Sequence, residues 1–410
     1  MPVTPSDPLT LPCGAILPNR LMKSAMSEAL ASVECKPTER HNTLYRRWAE
    51  GGVGLCVTGN VMVDRRALGE PGNVVLQDDQ HLDAFRAWAQ AGTAGGTALW
   101  MQINHPGKQV PKGLNREAVS PSAIPFGPEL RSYFNTPREL TAEEIEALIE
   151  RYARSASLAQ QAGFTGVQIH GAHGYLVSQF LSAHHNQRTD AWGGSAERRM
   201  RFVLEVYGAM RAAVGDGFPV SIKLNSADFQ KGGFTEEESL AVVSALSEKG
   251  MDLIEISGGT YEAPVMATGP KHKDSTRRRE AYFLEFAEKA RDVARAPIAV
   301  TGGFRSRAGI EEALAGGALD VVGLARSLAL DPEFPHHVLR GEDVAPDVGP
   351  VRTGIGPVDR SGLMNVAWYA RQLKRMGDGG EPNPDENKKL ALLGILTGQG
   401  LGVLRMRLRA

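Results

Sequence analysis

The chain has 410 residues, 42% hydrophobic and 23% charged, with 46 basic against 47 acidic residues and a net charge of -1. That balance excludes bulk attraction to nucleic acid or anionic membranes, and the length allows a large core in one domain or several. Three scattered cysteines (Cys13, Cys35, Cys56), no signal-peptide pattern at the start and no apolar run of about 18 residues predict a cytoplasmic chain without disulfide framework, cysteine-held cluster or spanning helix.

Residues 8–18 predict a small hairpin turning near Cys13-Gly14, and Leu21 to Met26 a first strand. Pro37 to Glu50 has helical spacing and stops at Gly51-Gly52. Val53 to Thr58 is a continuous apolar run, the pattern of a strand buried on both faces. A helix over 79–91 and a strand over 97–104 follow. Residues 105–140 hold six prolines and little periodicity, which predicts a long excursion over a barrel mouth containing a hairpin. Thr141 and Glu144 form a capping box for a helix to about Ala162, and Gly163 stops it. Val167 to Ile169 then lead into His170.

The second half repeats the alternation. Helices are predicted over 195–214, 235–249, 281–294 and 306–315. Strands are predicted over 218–224, 253–257, 297–301 and 320–323, with a polar loop carrying Lys271, Lys273 and Arg277 to Arg279 after the second of these. Eight strands alternating with helices predict a (β/α)₈ TIM barrel over residues 1–331. Residues 332–410 predict a helical extension, with a helix over 366–376 and an apolar stretch over 390–408 ending in Arg405, Arg407 and Arg409, packed on the barrel or on a second copy in a homo-oligomer, an interfacial membrane helix being the alternative.

Such barrels carry their chemistry at the carboxyl ends of the strands. Read there, the chain offers Ser24, Ala25, Met26 and Ser27, then Gly59 and Asn60, then Gln102, Asn104 and His105. Next come His170, His173 and Tyr175, then Lys223 and Asn225, then Gly302 and Gly303, then Gly323, Ala325 and Arg326. The set lacks the clustered carboxylates of a metal-dependent hydrolase, and no metal site is predicted. TGGF (301–304) and GLAR (323–326) close the last two strands, where backbone N–H groups and an arginine make a phosphate grip; simple tight turns are the alternative. Lys223 inside an apolar strand needs a counter-charge, either an anionic flavin ring or an internal partner such as Glu255. Gln102 has the donor and acceptor to meet a pyrimidine edge. His170 and His173 suit an oxyanion-type grip on a carbonyl oxygen, with Tyr175 as general acid; core histidines and a metal pair are the rivals. Arg188, Asp190, Glu197 and Arg199 are expected to form ion pairs bracing the loop after the fourth strand.

Seven stretches resemble the Old Yellow Enzyme family of FMN-dependent ene reductases, in family order over about residues 8–331. They are PNRLMKSAM, GVGLCVTGN, QINHPGKQ, HGAHGYLVSQFLS, RTDAWGGSAERRMRF, TGGF and DVVGLAR. The resemblance implies one non-covalent FMN over the barrel mouth, reduced by NADH or NADPH and reoxidised by an α,β-unsaturated carbonyl compound. It implies that Gln102 and Lys223 meet the flavin ring and that Gly302, Gly303, Ala325 and Arg326 surround the phosphate. Ser24, Ala25, Met26, Ser27 and Gly59 complete the implied flavin seat. His170 and His173 would hold the substrate carbonyl, hydride would pass from flavin N5 to the β-carbon, and Tyr175 would protonate the α-carbon. The sequence departs from the family at Ser27 (often Cys or Thr), Lys223 (commonly Arg) and Ala325 (often Gly). The usual aromatic after the first strand is also absent. A flavin oxidase or dehydrogenase of another small molecule on the same barrel is the alternative function. The second flavin domain and iron–sulfur cluster of longer relatives are not expected, so direct reduction by a nicotinamide is.

Overall fold

Eight parallel strands close on themselves: β1 (Leu21–Lys23), β2 (Leu55–Val57), β3 (Ala98–Asn104), β4 (Gly166–Gly171), β5 (Val220–Asn225), β6 (Leu253–Ser257), β7 (Ile298–Thr301) and β8 (Val321–Leu324). In this computed structural model, which describes residues 2–128, 130–260, 283–349, 351–355 and 363–393, each strand pairs with its sequence neighbour. β8 pairs with β1 to complete the ring. The predicted (β/α)₈ barrel is therefore the observed fold. The polar loop with Lys271, Lys273 and Arg277 to Arg279 lies outside the described residues, as does the stretch from 394 onward.

Helices α1 (Glu39–Glu50), α2 (Leu82–Gly92), α3 (Ala142–Gln161), α4 (Leu176–Leu181), α5 (Ala196–Val214), α6 (Glu236–Glu248), α7 (Leu284–Arg291) and α8 (Arg307–Ala315) lie between the strands. Their starts are fixed chemically. Thr141 caps α3 and Thr235 caps α6, each in a capping box with the glutamate three residues on, and Ser195 and Ser306 accept from N3 amides of α5 and α8. The expected hairpin over 8–18 is present, Leu9–Thr10 pairing antiparallel with Ile16–Leu17.

The excursion after β3 differs from expectation. Its ladder, Val119–Ser120 with Arg138–Glu139, runs parallel, not as a hairpin; among the described residues of the excursion only Pro111 and Phe134 bridge antiparallel. Pro121, Pro125, Pro128 and Pro137 occupy the arc between those segments. Lacking N–H donors, they cannot extend a hairpin ladder, and the chain loops round to re-enter in the same direction. Arg188 ties the excursion down, its Nη1 donating to the carbonyls of Leu140 (2.6 Å) and Pro121 (3.0 Å).

Beyond β8 come α9 (Arg326–Leu330), α10 (Phe334–Leu339) and α11 (Leu363–Gly377). α11 lies on α1, burying Trp368, Leu373 and Met376, and Arg40 pairs with Asp378 at 2.6 Å just beyond it. No helix among the described residues is long and apolar enough to cross a membrane.

Candidate active site

The register of the strands decides which side chains meet. Gln102 lies opposite Gln168, His170 opposite Lys223, Lys223 opposite Glu255, and Thr301 opposite Gly323. Side chains two apart share a face, so Gln168 and His170 point the same way from β4. The result is one polar string across the barrel. Gln102 Nε2 donates to Gln168 Oε1 (2.8 Å), and Gln168 Nε2 to Glu255 Oε2 (2.9 Å). Glu255 Oε1 meets Lys223 Nζ (2.9 Å) and accepts from Thr301 Oγ1 (2.6 Å). Thr301 Oγ1 in turn lies 2.6 Å from Ser24 Oγ. Glu255 is fully buried and Lys223 nearly so, so Lys223 has the internal partner weighed above while remaining at the mouth.

β4 ends in a tightly held turn. His173 has φ 60 and Gly174 φ 76. The left-handed conformation is natural for glycine and costs a histidine of order 1 kcal/mol. Three partners hold it there. His173 N–H donates to Asn225 Oδ1 (3.1 Å), its carbonyl accepts from Gln109 Nε2 (2.7 Å), and its Nε2 lies 2.8 Å from Ser257 Oγ. The ring of His170 stands 5.2 Å from that of His173 and 4.7 Å from that of Tyr175, both edge-on. His170 Nδ1 accepts from the Ala172 N–H (3.3 Å), which leaves the proton of the neutral ring on Nε2. Burial, then His173 and Lys223, hold His170 well below the usual histidine range. Burial and Lys223 bring His173 to about 3. Both rings are neutral donors at physiological pH.

Gly302 and Gly303 have φ 141 and 101, and Arg326 opens α9 after Ala325. At Gly323 a Cβ would stand 1.9 Å from Thr301 Oγ1 and 2.6 Å from Ser24 Oγ, so only hydrogen fits. Ala25, Met26 and Ser27 are half-buried beyond β1. Gly59 touches that loop closely: a Cβ there would lie 2.7 Å from the Met26 carbonyl. Gln102 Oε1, both polar atoms of Asn104 and Ser327 Oγ are buried without hydrogen-bond partners among the described residues. Buried polar groups are normally satisfied. Open acceptors and donors on β3 and α9, with a glycine turn after β7 and an arginine after β8, fit a planar heterocycle carrying a phosphate.

The candidate residues thus gather at one end of the barrel, with Ser27 turned toward Glu70. Gln168, Ser257, Gln109 and Gln179 were not anticipated as site residues, and Thr301 was anticipated only as the start of the TGGF turn. For Gln168 a signal existed, since a lone polar residue inside the buried run GVQI must find a partner. Gln179 gave no signal, yet it pins the cover: its Nε2 donates to Gly174 O (2.7 Å) and Pro106 O (3.2 Å), and its Oε1 accepts from Lys108 N (3.2 Å). The bracing loop forms its Arg188–Asp190 pair (2.6 Å), but Arg199 pairs with Glu238 on α6 rather than with Glu197, which stays beside Ser195 in the first turn of α5. No cluster of three or more metal-ligating side chains is present among the described residues.

Neutral buried histidines make stability fall with acid. His105, lowered to about 4, and His41 and His185, also lowered mainly by burial, join His170 and His173. The unfolded chain takes up these protons below about pH 6.5, the folded chain only below its depressed values, so the contribution is full above 6.5 and shrinks as pH falls toward them. Urea unfolding should show stability lost as pH falls from 6.5 towards 5, approaching about 1.4 kcal/mol per unit for each of His105, His170, His173 and His185. His173→Gln should lower that slope by about one proton; an unchanged slope would refute the assignment.

The profile of the NADH:flavin oxidoreductase / NADH oxidase family matches residues 7–343. The NADH-dependent flavin oxidoreductase iliE of Neonectria sp. is 40% identical over 90% of this chain, which spans 50% of that protein's length. The protein of the same name from Hypocrea jecorina is 39% identical over 83% of this chain and 90% of its own length. The old yellow enzyme homologue of Zymomonas mobilis has the same fold, with a TM-score of 0.73 and 23% identity, over 84% of this chain and 94% of that one.

Proposed function

We infer that this chain, which belongs to the NADH:flavin oxidoreductase / NADH oxidase family, is an FMN-dependent ene reductase acting on α,β-unsaturated carbonyl compounds. The observation that carries the reading is the pair of neutral histidines beside Tyr175, with Lys223 next to His170 on the adjacent strand. When bound, FMN supplies hydride transfer, from NADH or NADPH to the β-carbon of the substrate. The names of the relatives favour NADH.

The chain's residues supply the rest. His170 Nε2–H and the free Nδ1 side of His173 grip the substrate carbonyl oxygen and stabilise the charge that develops there. Being uncharged, they donate hydrogen bonds without giving up a proton. Tyr175 delivers its phenol proton to the α-carbon from the same turn. With FMN bound, Lys223, steadied by Glu255, would supply a positive charge to the ring, and Gln102 and Ser24 would offer it hydrogen bonds. The Gly302-Gly303 turn, the N–H of Ala325 and the guanidinium of Arg326 hold the phosphate. Ala25, Met26, Ser27 and Gly59 shape the rim. The division into a barrel (1–331) and a helical extension (332–410) belongs to the same proposal, supported by the seat of α11 on α1.

The test is the visible spectrum of the purified protein, followed without oxygen through addition of NADH and then cyclohexenone. Bands near about 370 and 450 nm should bleach with NADH and return with the enone. Flavin that bleaches but is not reoxidised by the enone would overturn the ene-reductase reading, and oxygen uptake would then identify an oxidase.

A further inference from the structure

The loop after β2 reaches back to the end of β1. Ser27 Oγ donates to Glu70 Oε1, although 43 residues separate them. Glu70 is itself held: Asn73 Oδ1 accepts from the N–H groups of Gly69 and Glu70 (2.9 Å each), and Asn73 Nδ2 lies 3.4 Å from Glu70 Oε1. A cavity of about 10 Å³, the size of one water, lies between Glu70, Glu28, His41 and Asn73. Glu28 is occupied by other partners. It accepts from Tyr45 Oη, from Lys23 Nζ (3.4 Å) and from Gly59 N (3.3 Å), and His41 Nε2 lies 4.0 Å away. Lys23, the nearby cation, is spent on Glu28 and on the Val57 carbonyl (2.9 Å). Glu70 therefore faces a second carboxylate across the cavity and makes no ion pair with a described lysine or arginine.

We propose that Glu70 is a positioning residue for the flavin, acting through Ser27. While ionised it holds the Ser27 hydroxyl hydrogen, so Ser27 turns an oxygen lone pair toward the ring instead of a donor. When Glu70 takes up a proton it becomes the donor, and the Ser27 hydrogen is released toward the flavin. The proposal rests on the FMN seat proposed above. It deepens that reading by making one edge of the seat respond to pH. Burial first, then Glu28, raises the Glu70 carboxyl above its ordinary 4.5, against the hydrogen bonds of Ser27 and Asn73. The groups around it are Glu28 and Lys23 from β1 and its end, and His41 and Tyr45 from α1.

An ionised Glu70 polarises the Ser27 hydroxyl, so the lone pair turned to the ring carries more negative charge and disfavours added electron density there, and protonation removes that effect. The flavin midpoint potential, measured against pH with a reference dye, should show an inflection above pH 4.5, with the potential falling as Glu70 ionises. Glu70→Gln keeps an acceptor for Ser27 but no charge. It should retain FMN, lose the inflection and have the higher potential at neutral pH. Should that variant not fold, Ser27→Ala decides, because it removes the relay and should flatten the same inflection. An unchanged curve in the variant measured overturns the proposal. Wild-type protein that binds no FMN would overturn the cofactor reading and this proposal together, whereas flavin with an unaltered curve overturns this proposal alone.

Discussion

Tyr175→Phe is expected to slow enone reduction by about 10²–10⁴-fold while leaving NADH-driven flavin reduction within about twofold. The substitution removes one hydroxyl from a side chain that is 8% exposed and sits at the mouth, 4.7 Å ring to ring from His170. Tyr175 starts α4 through its backbone, with φ -76 and ψ 177, and its side chain makes no capping hydrogen bond. The helix therefore survives the change. Reduction by a nicotinamide needs no proton on a substrate carbon, so that half-reaction does not depend on the phenol. Enone reduction does, and solvent is a poor replacement for an acid already in place. Stopped-flow measurement of the two half-reactions separates the cases, and equal losses in both would refute Tyr175 as the acid.

Lys223→Met should lose FMN and about 3–5 kcal/mol of stability. The lysine is 2% exposed, and its partner Glu255 is fully buried. Without the ammonium, Glu255 keeps hydrogen bonds from Gln168 (2.9 Å) and Thr301 (2.6 Å). These solvate a carboxylate but do not neutralise it, and an uncompensated buried charge is what makes breaking such a pair expensive. The double variant Lys223→Met with Glu255→Gln should recover most of the stability, since both charges go together, yet still bind FMN poorly. Urea midpoints and flavin content at 450 nm measure the two effects independently. A loss under about 1 kcal/mol in the single variant would show that Lys223 is not the counter-charge of Glu255.

Much of this was legible in the sequence because it depends on local rules. Continuous apolar runs such as Val53 to Thr58 predict strands buried on both faces, and Thr141 and Thr235 announce their helices three residues ahead of a glutamate. Alternation of the two patterns eight times leaves few folds open. The candidate site was legible where glycine and histidine crowd the end of one strand. What could not be read depends on register and on distance along the chain. That Glu255 would meet Lys223, Gln168 and Thr301 together requires knowing how four strands slide against one another. The contact of Ser27 with Glu70 has no local signature at all. The parallel ladder of the excursion was misread for the same reason: prolines mark where pairing cannot occur but not in which direction the chain returns.

The polar string crosses the seam of the barrel, since Ser24 belongs to the first strand's end and Thr301 to the seventh strand, with β8 between them. A ribosome must therefore deliver everything through Leu324 before these groups can meet. A nascent chain halted earlier has most of its helices but not the closed string on which the proposed flavin seat depends. On the function proposed above, the flavin seat is completed late in synthesis, and two halves cut between β4 and β5 should bind no flavin until they associate.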